Sequence, residues 1–166
     1  NKARINYYLI DQVGTSHAKN FGSAHSKGEI LFFCDDDIMP HDDFLIQKHV
    51  DNFASTEIGG VGGRVIVKDN SMSTNQKHIA YVSKAGVFYD NFSLKSKTEI
   101  DTVHGCNMSF RKNVFQQAGG FDENFIGNAF REESDLSFRI RKMGYKLIFE
   151  PEAEVLHLRG SYGGTR

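Results

Sequence analysis

The amino-acid sequence predicts an α/β fold in which a mostly parallel sheet is flanked by helices. Its 166 residues are 39% hydrophobic and 25% charged, which is enough apolar material for one ordinary core. The run Ile30–Cys34 is apolar at every position, a pattern typical of a strand that is covered on both faces. A helix-like segment precedes this run, and a helix followed by a buried strand is the order found in α/β domains.

The amino-terminal part of the chain contains one further predicted strand and two predicted helices. Residues 5–10 are strand-like but have no turn or cap before them, so we expect the first strand or strands of the domain to be missing. Ser16 is a suitable cap for a helix that Gly28 ends. Asp42 or Asp43 can cap a second helix, whose apolar residues recur at three- and four-residue steps.

The middle of the chain is predicted to contain one strand and a long irregular region. The glycine-rich residues 59–63 interrupt the chain before a strand at 64–68. Residues 69–100 are polar and weakly periodic, which indicates either a surface excursion or a region that faces the acceptor side of a substrate site. Regular structure is expected to return after residue 101 in the following elements: a short helix at 111–118, a helix at 132–143, strands at 146–149 and 153–156 separated by Pro151, and a flexible tail at 158–166.

The overall charge and the cysteine content exclude several kinds of protein. Twenty basic and 21 acidic residues give a net charge of −1, so no nucleic-acid partner is expected. Two cysteines suggest neither a disulfide framework nor a cysteine-rich zinc site, and they fit a reducing cytoplasm. No apolar run approaches the roughly 20 residues of a membrane span, so membrane contact is expected only as peripheral binding at the cytoplasmic face. The sequence gives no indication of oligomeric state.

Three consecutive aspartates follow the predicted buried strand. They therefore lie at its carboxyl end, where open α/β sheets bind ligands. Because strand side chains alternate, Asp35 and Asp37 should project to one side and Asp36 to the other. Two crowded carboxylates raise each other's pKa unless a cation neutralises them, so the pair predicts a divalent metal site. The alternative is that these aspartates only cap a turn.

A second acidic group opens the predicted helix at 132–143. Glu132, Glu133 and Asp135 lie in its first turn, where acids commonly compensate the helix dipole. One of them could instead act as a general base, if it lies beside a substrate hydroxyl and burial holds its pKa in a useful range. His157 follows a predicted strand and could bind a metal through its neutral imidazole, or it could be an ordinary packed histidine.

The order and spacing of several short motifs resemble those of family 2 glycosyltransferases, which have the GT-A fold. The motifs are SHAKNFG at 16–22, GEILFFCDDDIMP at 28–40, GGFDE at 119–123 and EESDLSFR at 132–139, and the match continues at 144–145 and 151–157. Each motif is modest alone, but together they cover nearly the whole chain. The resemblance implies that residues 1–166 form part of a glycosyltransferase catalytic domain.

The resemblance also implies a reaction and a set of residue roles. The reaction is inverting transfer of a sugar from a nucleotide-diphosphate donor to a hydroxyl of a glycan or lipid-linked acceptor, with Mn²⁺ or Mg²⁺. Glu133 stands in the place of the family's catalytic aspartate, with Glu132 and Asp135 as alternates. The other implied roles are donor binding by Asp35, Asp36, Lys19 and Asn20, metal binding by Asp37, Asp35 and His157, and acceptor contacts by Gly105, Cys106, Asn107 and Arg139.

Two other functions remain open at the level of the sequence. A nucleotidyltransferase also uses aspartates at a sheet edge to hold a metal and a nucleotide, and it would release pyrophosphate. A glycan-binding module could retain the fold without the chemistry, as the replacement of the catalytic aspartate by Glu133 allows.

Overall fold

The computed structural model describes residues 5–11, 14–67, 79–92, 94–126 and 129–158. The helices are α1 (Thr15–His25), α2 (Leu45–Asp51), α3 (Lys112–Gln117) and α4 (Glu132–Lys142), and a 3₁₀ turn (Asn52–Ala54) follows α2. The strands are β1 (Ile30–Cys34), β2 (Ile38–Pro40), β3 (Ile58–Val67), β4 (Tyr81–Val82), β5 (Phe88–Tyr89), β6 (Thr98–Ile100), β7 (Asn107–Arg111) and β8 (Lys146–His157). None of the described helices is long and apolar enough to span a bilayer.

The central sheet has six strands in the order β1-β7-β3-β8-β2, and β6 pairs with β8. Strands β1, β3 and β8 run in one direction, and β3 with β8 forms the long parallel pair at the centre. Strand β7 lies between β1 and β3 and runs against both, while β2 and β6 run against β8. The α/β class and the flanking helices are confirmed. The sheet is mixed, because β7, β2 and β6 enter it antiparallel.

Strand β1 lies at an edge of the sheet as described, with β7 as its partner. The predicted strand is confirmed, but the prediction that it is covered on both faces is wrong. Leu31 is buried, whereas Cys34 is exposed and the other residues are half-buried. The apolar run reflects one covered face and a less covered one. It does not mark a central position in the sheet.

The glycine-rich residues 59–63 lie inside β3, so the predicted interruption of the chain is wrong. A Cβ atom at Gly60 would lie 2.7 Å from Phe110 Cδ1 and 2.9 Å from Leu147 Cδ2. Both neighbours belong to adjacent strands and are fully buried. Glycine is therefore needed here because neighbouring side chains fill the space above the strand.

Strand β8 is one continuous strand, although the sequence predicts two strands separated by Pro151. In its pairing with β3, Gly63 faces Glu150 and the next residue, Arg64, faces Glu154. Residues 151–153 are therefore skipped in the pairing, and Pro151 lies in this irregularity. Proline lacks the N–H that a regular ladder position requires. It is tolerated here because the pairing is irregular at this point.

The amino-terminal predictions need two corrections. Residues 5–10 form no strand, and Ile5, Tyr7 and Leu9 are exposed. Helix α1 begins at Thr15 after Gly14, and Ser16 is buried inside its first turn instead of capping it.

Of the predicted excursion at 69–100, residues 69–78 and 93 lie outside the described residues, and the remainder contains the β4–β5 hairpin and β6. Of the predicted flexible tail, 159–166 also lie outside the described residues.

Candidate functional site

The three aspartates occupy the turn between β1 and β2, and the pairing of β2 brings His157 to them. Ile38, the residue after Asp37, pairs with His157 at the end of β8. The backbone N–H of Leu158 donates to the carbonyl oxygen of Asp37 at 2.9 Å. The antiparallel β2–β8 register therefore fixes a histidine beside the second of the two alternating aspartates.

Asp35, Asp37 and His157 form a compact cluster of potential metal ligands. One ligand atom from each lies within 4.8 Å of the others. His157 Nε2 is 3.0 Å from Asp37 Oδ1 and 3.9 Å from Asp35 Oδ2. Two carboxylate oxygens and an imidazole nitrogen form a donor set that suits Mn²⁺ and also accommodates Mg²⁺. Asp36 is exposed and does not belong to this cluster.

The electrostatics of the cluster favour bound positive charge. Partial burial raises the pKa of Asp35, and the negative charges of Asp37 and Asp36 raise it further. The charges of Lys19 and His157 oppose this rise. A raised pKa means that the ionised carboxylate is destabilised relative to its protonated form. A bound cation would remove this destabilisation.

Helix α4 begins with two glutamates in different surroundings. Glu132 is buried, and its carboxylate accepts a hydrogen bond from Ser16 Oγ at 2.7 Å and pairs with Lys19 Nζ. The Lys19 ammonium also lies 5.2 Å from the centre of the Phe121 ring. Both acceptor oxygens of Glu132 are thus engaged with α1, which makes it a structural link between α1 and α4.

Glu133 is the acid of this turn that is best placed to exchange a proton. It is half-buried, and burial raises the pKa of its carboxyl group, with a smaller contribution from Glu132. Within the described part of the chain, we find no ion pair between Glu133 and a basic side chain. Asp135, by contrast, accepts hydrogen bonds from Arg139 at 2.6 and 2.9 Å. A half-buried carboxylate with a raised pKa is suited to general-base chemistry.

Lys19 connects the two acidic groups. Its positive charge lowers the pKa of both Asp35 and Glu133 against the effect of burial. A Cβ atom built on Gly105 would lie 3.8 Å from Lys19 Nζ, so the turn before β7 borders the same region. Asp35 and Glu133 therefore lie on the same side of the molecule, each within the electrostatic reach of one lysine.

The turn before β7 also reaches the metal-ligand cluster. The ring centres of His104 and His157 are 6.5 Å apart. Cys106 is buried, and burial together with the charge of Asp35 raises the pKa of its thiol to about 12. Burial lowers the pKa of His104 to about 4. Gly105 and Cys106 thus lie beside the cluster, and Cys106 is a neutral thiol at physiological pH.

Three of the predicted contact residues have their polar atoms engaged elsewhere. The Asn20 side chain donates to Phe121 O at 2.8 Å and accepts from Phe121 N at 2.9 Å. Asn107 is fully buried and bonds to two backbone carbonyls and to His49. The Arg139 guanidinium contacts Asp135 and the carbonyl oxygen of Ala118, on a shallow cavity of about 470 Å³ that Asn20 also lines.

Sequence reasoning missed an ion pair at the start of α4. Arg131, the residue before the helix, donates to Asp90 at 2.9 and 2.5 Å. The positive charge of Arg131 also acts on Glu133. The two partners are 41 residues apart, and no motif or periodicity in the sequence links them.

The fold is that of the GT-A glycosyltransferases. The model of the family described as "Glycosyl transferase family 2" matches residues 1–119, and the chain belongs to that family.

Several curated relatives share parts of the sequence. An N-acetylglucosaminyl-diphospho-decaprenol L-rhamnosyltransferase of Mycobacterium tuberculosis is 36% identical over 62 residues, covering 37% of this chain and 20% of the relative. The probable glycosyltransferase YdaM of Bacillus subtilis is 24% identical, covering 84% of this chain and 32% of the relative. Glycosyltransferase AglE of Haloferax volcanii is 26% identical over 92% of this chain and 47% of its own length. The chain therefore spans less than half the length of these relatives.

Solved structures that share the fold include two that contain Mn²⁺ by their descriptions. The mannosyltransferase PcManGT of Pyrobaculum calidifontis, in complex with GDP-Man and Mn²⁺, matches with a TM-score of 0.64 at 18% identity, over 92% of this chain and 39% of that one. GalNAc-T7 with UDP, GalNAc and Mn²⁺ matches with a TM-score of 0.66 at 13% identity, over 87% and 30%. The predictions of a family 2 glycosyltransferase and of the GT-A fold are confirmed.

Proposed function

We propose that this domain catalyses inverting transfer of a sugar from a nucleotide-diphosphate donor to a hydroxyl group of an acceptor. The observation that carries the proposal is the clustering of Asp35, Asp37 and His157 at the end of β1, on the same side as Glu133, for which the described residues offer no ion pair. A metal site and a general base that share one lysine neighbour are the two parts that this reaction needs.

The residues present fit a divalent cation. Asp37, Asp35 and His157 would hold Mn²⁺ or Mg²⁺ through two carboxylates and one imidazole. The bound cation would supply positive charge to a diphosphate leaving group. Both similar solved structures contain Mn²⁺ by their descriptions, which supports this choice.

The chain's own residues account for proton transfer and for donor placement. Glu133 removes the proton of the acceptor hydroxyl, and its raised pKa makes the carboxylate a stronger base than an exposed glutamate. Lys19 places a positive charge between Glu133 and Asp35, on the side where donor phosphates would lie. Asp35 and Asp36 contact the ribose or sugar of the donor. Attack in line with the departing diphosphate inverts the anomeric carbon.

The acceptor class follows from the same proposal. The Mycobacterium tuberculosis relative acts, by its name, on a saccharide carried by diphospho-decaprenol. A lipid-linked saccharide or a free glycan is the acceptor that we propose here, at the cytoplasmic face of a membrane or in the cytoplasm. Gly105 and Cys106 border the acceptor side in this proposal. Asn107 would act on it through the strands β3 and β8, to whose carbonyls it donates, and Asn20 and Arg139 through the backbone at Phe121 and Ala118.

The test is donor turnover with a panel of nucleotide sugars and Mn²⁺. We expect release of nucleoside diphosphate by the wild-type chain, and a loss of 10²-fold or more in Asp37→Ala and in Glu133→Gln, as expected for removing a metal ligand or a general base. Glu57→Gln is the matched control, because Glu57 is an exposed acid that pairs only with Lys146 in the described contacts. Unchanged turnover in both site variants would refute the roles. Release of pyrophosphate would indicate a nucleotidyltransferase, and glycan binding without any donor turnover would indicate a binding module.

A further inference from the structure

Two aromatic rings lie against Arg131 at the start of α4, and a third ring lies beside one of them; we call this group the aromatic shelf: Phe88, Phe130, Phe138 and Arg131. The guanidinium carbon of Arg131 lies 4.1 Å from the centre of the Phe88 ring and 4.8 Å from that of Phe130. The rings of Phe88 and Phe138 are 6.3 Å apart. Because Asp90 binds the same guanidinium through two hydrogen bonds, Arg131 is held in one orientation.

The backbone presents Phe130 to solvent. Ala129 has φ 48° and Arg131 has φ 73°, so a left-handed residue lies on each side of Phe130. Neither is a glycine, and such conformations cost free energy and are concentrated at functional sites. Ala129 is buried, while Phe130 is 69% exposed. A strained backbone that turns a large apolar ring outward does not help the domain to fold.

The aromatic shelf borders the proposed active site. Glu133 follows Arg131 by two residues, and the charge of Arg131 lowers the pKa of its carboxyl group against the effect of burial. Asp90 and Arg131 both act electrostatically on His104, whose ring lies beside that of His157. The shelf is therefore next to the base, and its ion pair lies within electrostatic reach of the histidine beside the metal-ligand cluster.

We propose that the aromatic shelf binds a pyranose ring of a saccharide acceptor, a role that rests on the proposed function. The C–H bonds on one face of a pyranose carry partial positive charge and pack against the electron-rich face of an aromatic ring, here Phe130. Arg131, whose guanidinium lies over one face of the Phe130 ring, and Asp90 are both partly exposed, and they place hydrogen-bonding groups beside that ring for the sugar hydroxyls. An acyl chain would gain nothing from this ion pair, whereas a saccharide uses both the apolar and the polar groups. Stacking on Phe130 directs the acceptor hydroxyl toward Glu133.

The experiment is saturation-transfer NMR on the whole chain, without donor or metal, using maltose, cellobiose and N,N′-diacetylchitobiose as probes. We expect saturation transfer to the pyranose ring protons of at least one disaccharide. Phe130→Ala should weaken the titrated affinity by about fivefold or more, and Phe130→Trp should retain it. Phe44→Ala is the matched control and should change nothing, because Phe44 is 65% exposed and precedes α2, outside the shelf. Thermal unfolding should be the same in all variants, since both side chains are exposed.

Two outcomes overturn the proposal. The first is the absence of sugar binding that depends on Phe130, seen either as no transfer to any of the three disaccharides or as equal affinity in Phe130→Ala and the wild type. The second is binding to phosphatidylglycerol vesicles that depends on Phe130 while the sugars do not bind, which would assign the shelf to a lipid surface. Neither outcome involves the donor, so failure of the shelf leaves the Mn²⁺-dependent turnover test of Asp37→Ala standing by itself.

Discussion

Glu132 and Glu133 are adjacent acids that differ in role because their surroundings differ. Glu132 is buried and bonded to Ser16 and Lys19, whereas Glu133 is half-buried and has a raised pKa. Their local positions do not separate them, because both lie in the first turn of one helix; in the sequence, only the resemblance to a family distinguished Glu133 from Glu132. What distinguishes them is the packing of α1 against α4, which brings Ser16 to Glu132 from 116 residues away.

Glu132→Gln is predicted to destabilise the protein. The change leaves the Lys19 ammonium partly buried without its counter-charge, at a cost of about 2 kcal/mol or more. Glu133→Gln removes a carboxylate that has no ion-pair partner among the described residues, so it should leave the free energy of unfolding nearly unchanged. Urea unfolding of the two variants measures this difference. Equal stability of both would contradict the structural role of Glu132.

The sequence predicted individual residues best where local chemistry decides their position. Asp35, Asp37 and His157 do lie together, although the two aspartates stand in the turn after β1 and not on the strand whose alternation led us to pair them. Ser16 was misjudged as a helix cap for a different reason. Its hydrogen-bond partner, Glu132, is more than 100 residues away, so a cap was the nearest available interpretation.

At the scale of the element, β3 shows how tertiary packing overrides a local signal. Glycines usually interrupt strands, yet those at 59–63 continue one, and at Gly60 the side chains of Phe110 and Leu147 occupy the space that a side chain would need. Likewise, Pro151 ended a predicted strand but lies in a pairing irregularity of β8. Helix α4, in contrast, was predicted nearly to the residue, because its acidic first turn, basic last turn and Gly144 are all local signals.

Gly60→Ala tests the close packing of β3. The new Cβ would lie 2.7 Å from Phe110 Cδ1, so we expect a loss of about 1–3 kcal/mol in the free energy of unfolding, typical of an overpacked core. Gly22→Ala in α1 is the control. Its Cβ would have no atom within 4 Å, and alanine favours a helix over glycine by roughly 0.5–1 kcal/mol. Thermal unfolding should therefore shift downward for the first variant and upward or not at all for the second.

At the scale of the whole molecule, the proposed active site depends on elements that are far apart in the chain. The turn between β1 and β2 provides the aspartates, the end of β8 provides the histidine, and the start of α4 provides the glutamate. The sequence predicted these three groups separately, and the resemblance to a family predicted that they meet. Their shared lysine, Lys19, and the ion pair between Asp90 and Arg131 follow only from the folded chain.

Because the turn between β1 and β2 and the end of β8 meet at the cation site, metal binding should stabilise the whole domain. Manganese at 100 times its dissociation constant should add about 2.7 kcal/mol to the free energy of unfolding, which corresponds to several degrees in Tm for a domain of this size. Asp37→Asn should abolish this shift. Glu57→Asn should retain it, because Glu57 is an exposed acid outside the cluster.

The shift should also depend on pH in a definite direction. Protons compete with the cation for Asp35, whose pKa is raised by burial, so the stabilisation is full above that pKa and disappears as the pH falls through it. Differential scanning fluorimetry with and without Mn²⁺ between pH 4 and pH 8 measures both effects. If the shift persists in Asp37→Asn or grows as the pH falls, the cation binds elsewhere, and the link between β1, β2 and β8 through a metal is lost.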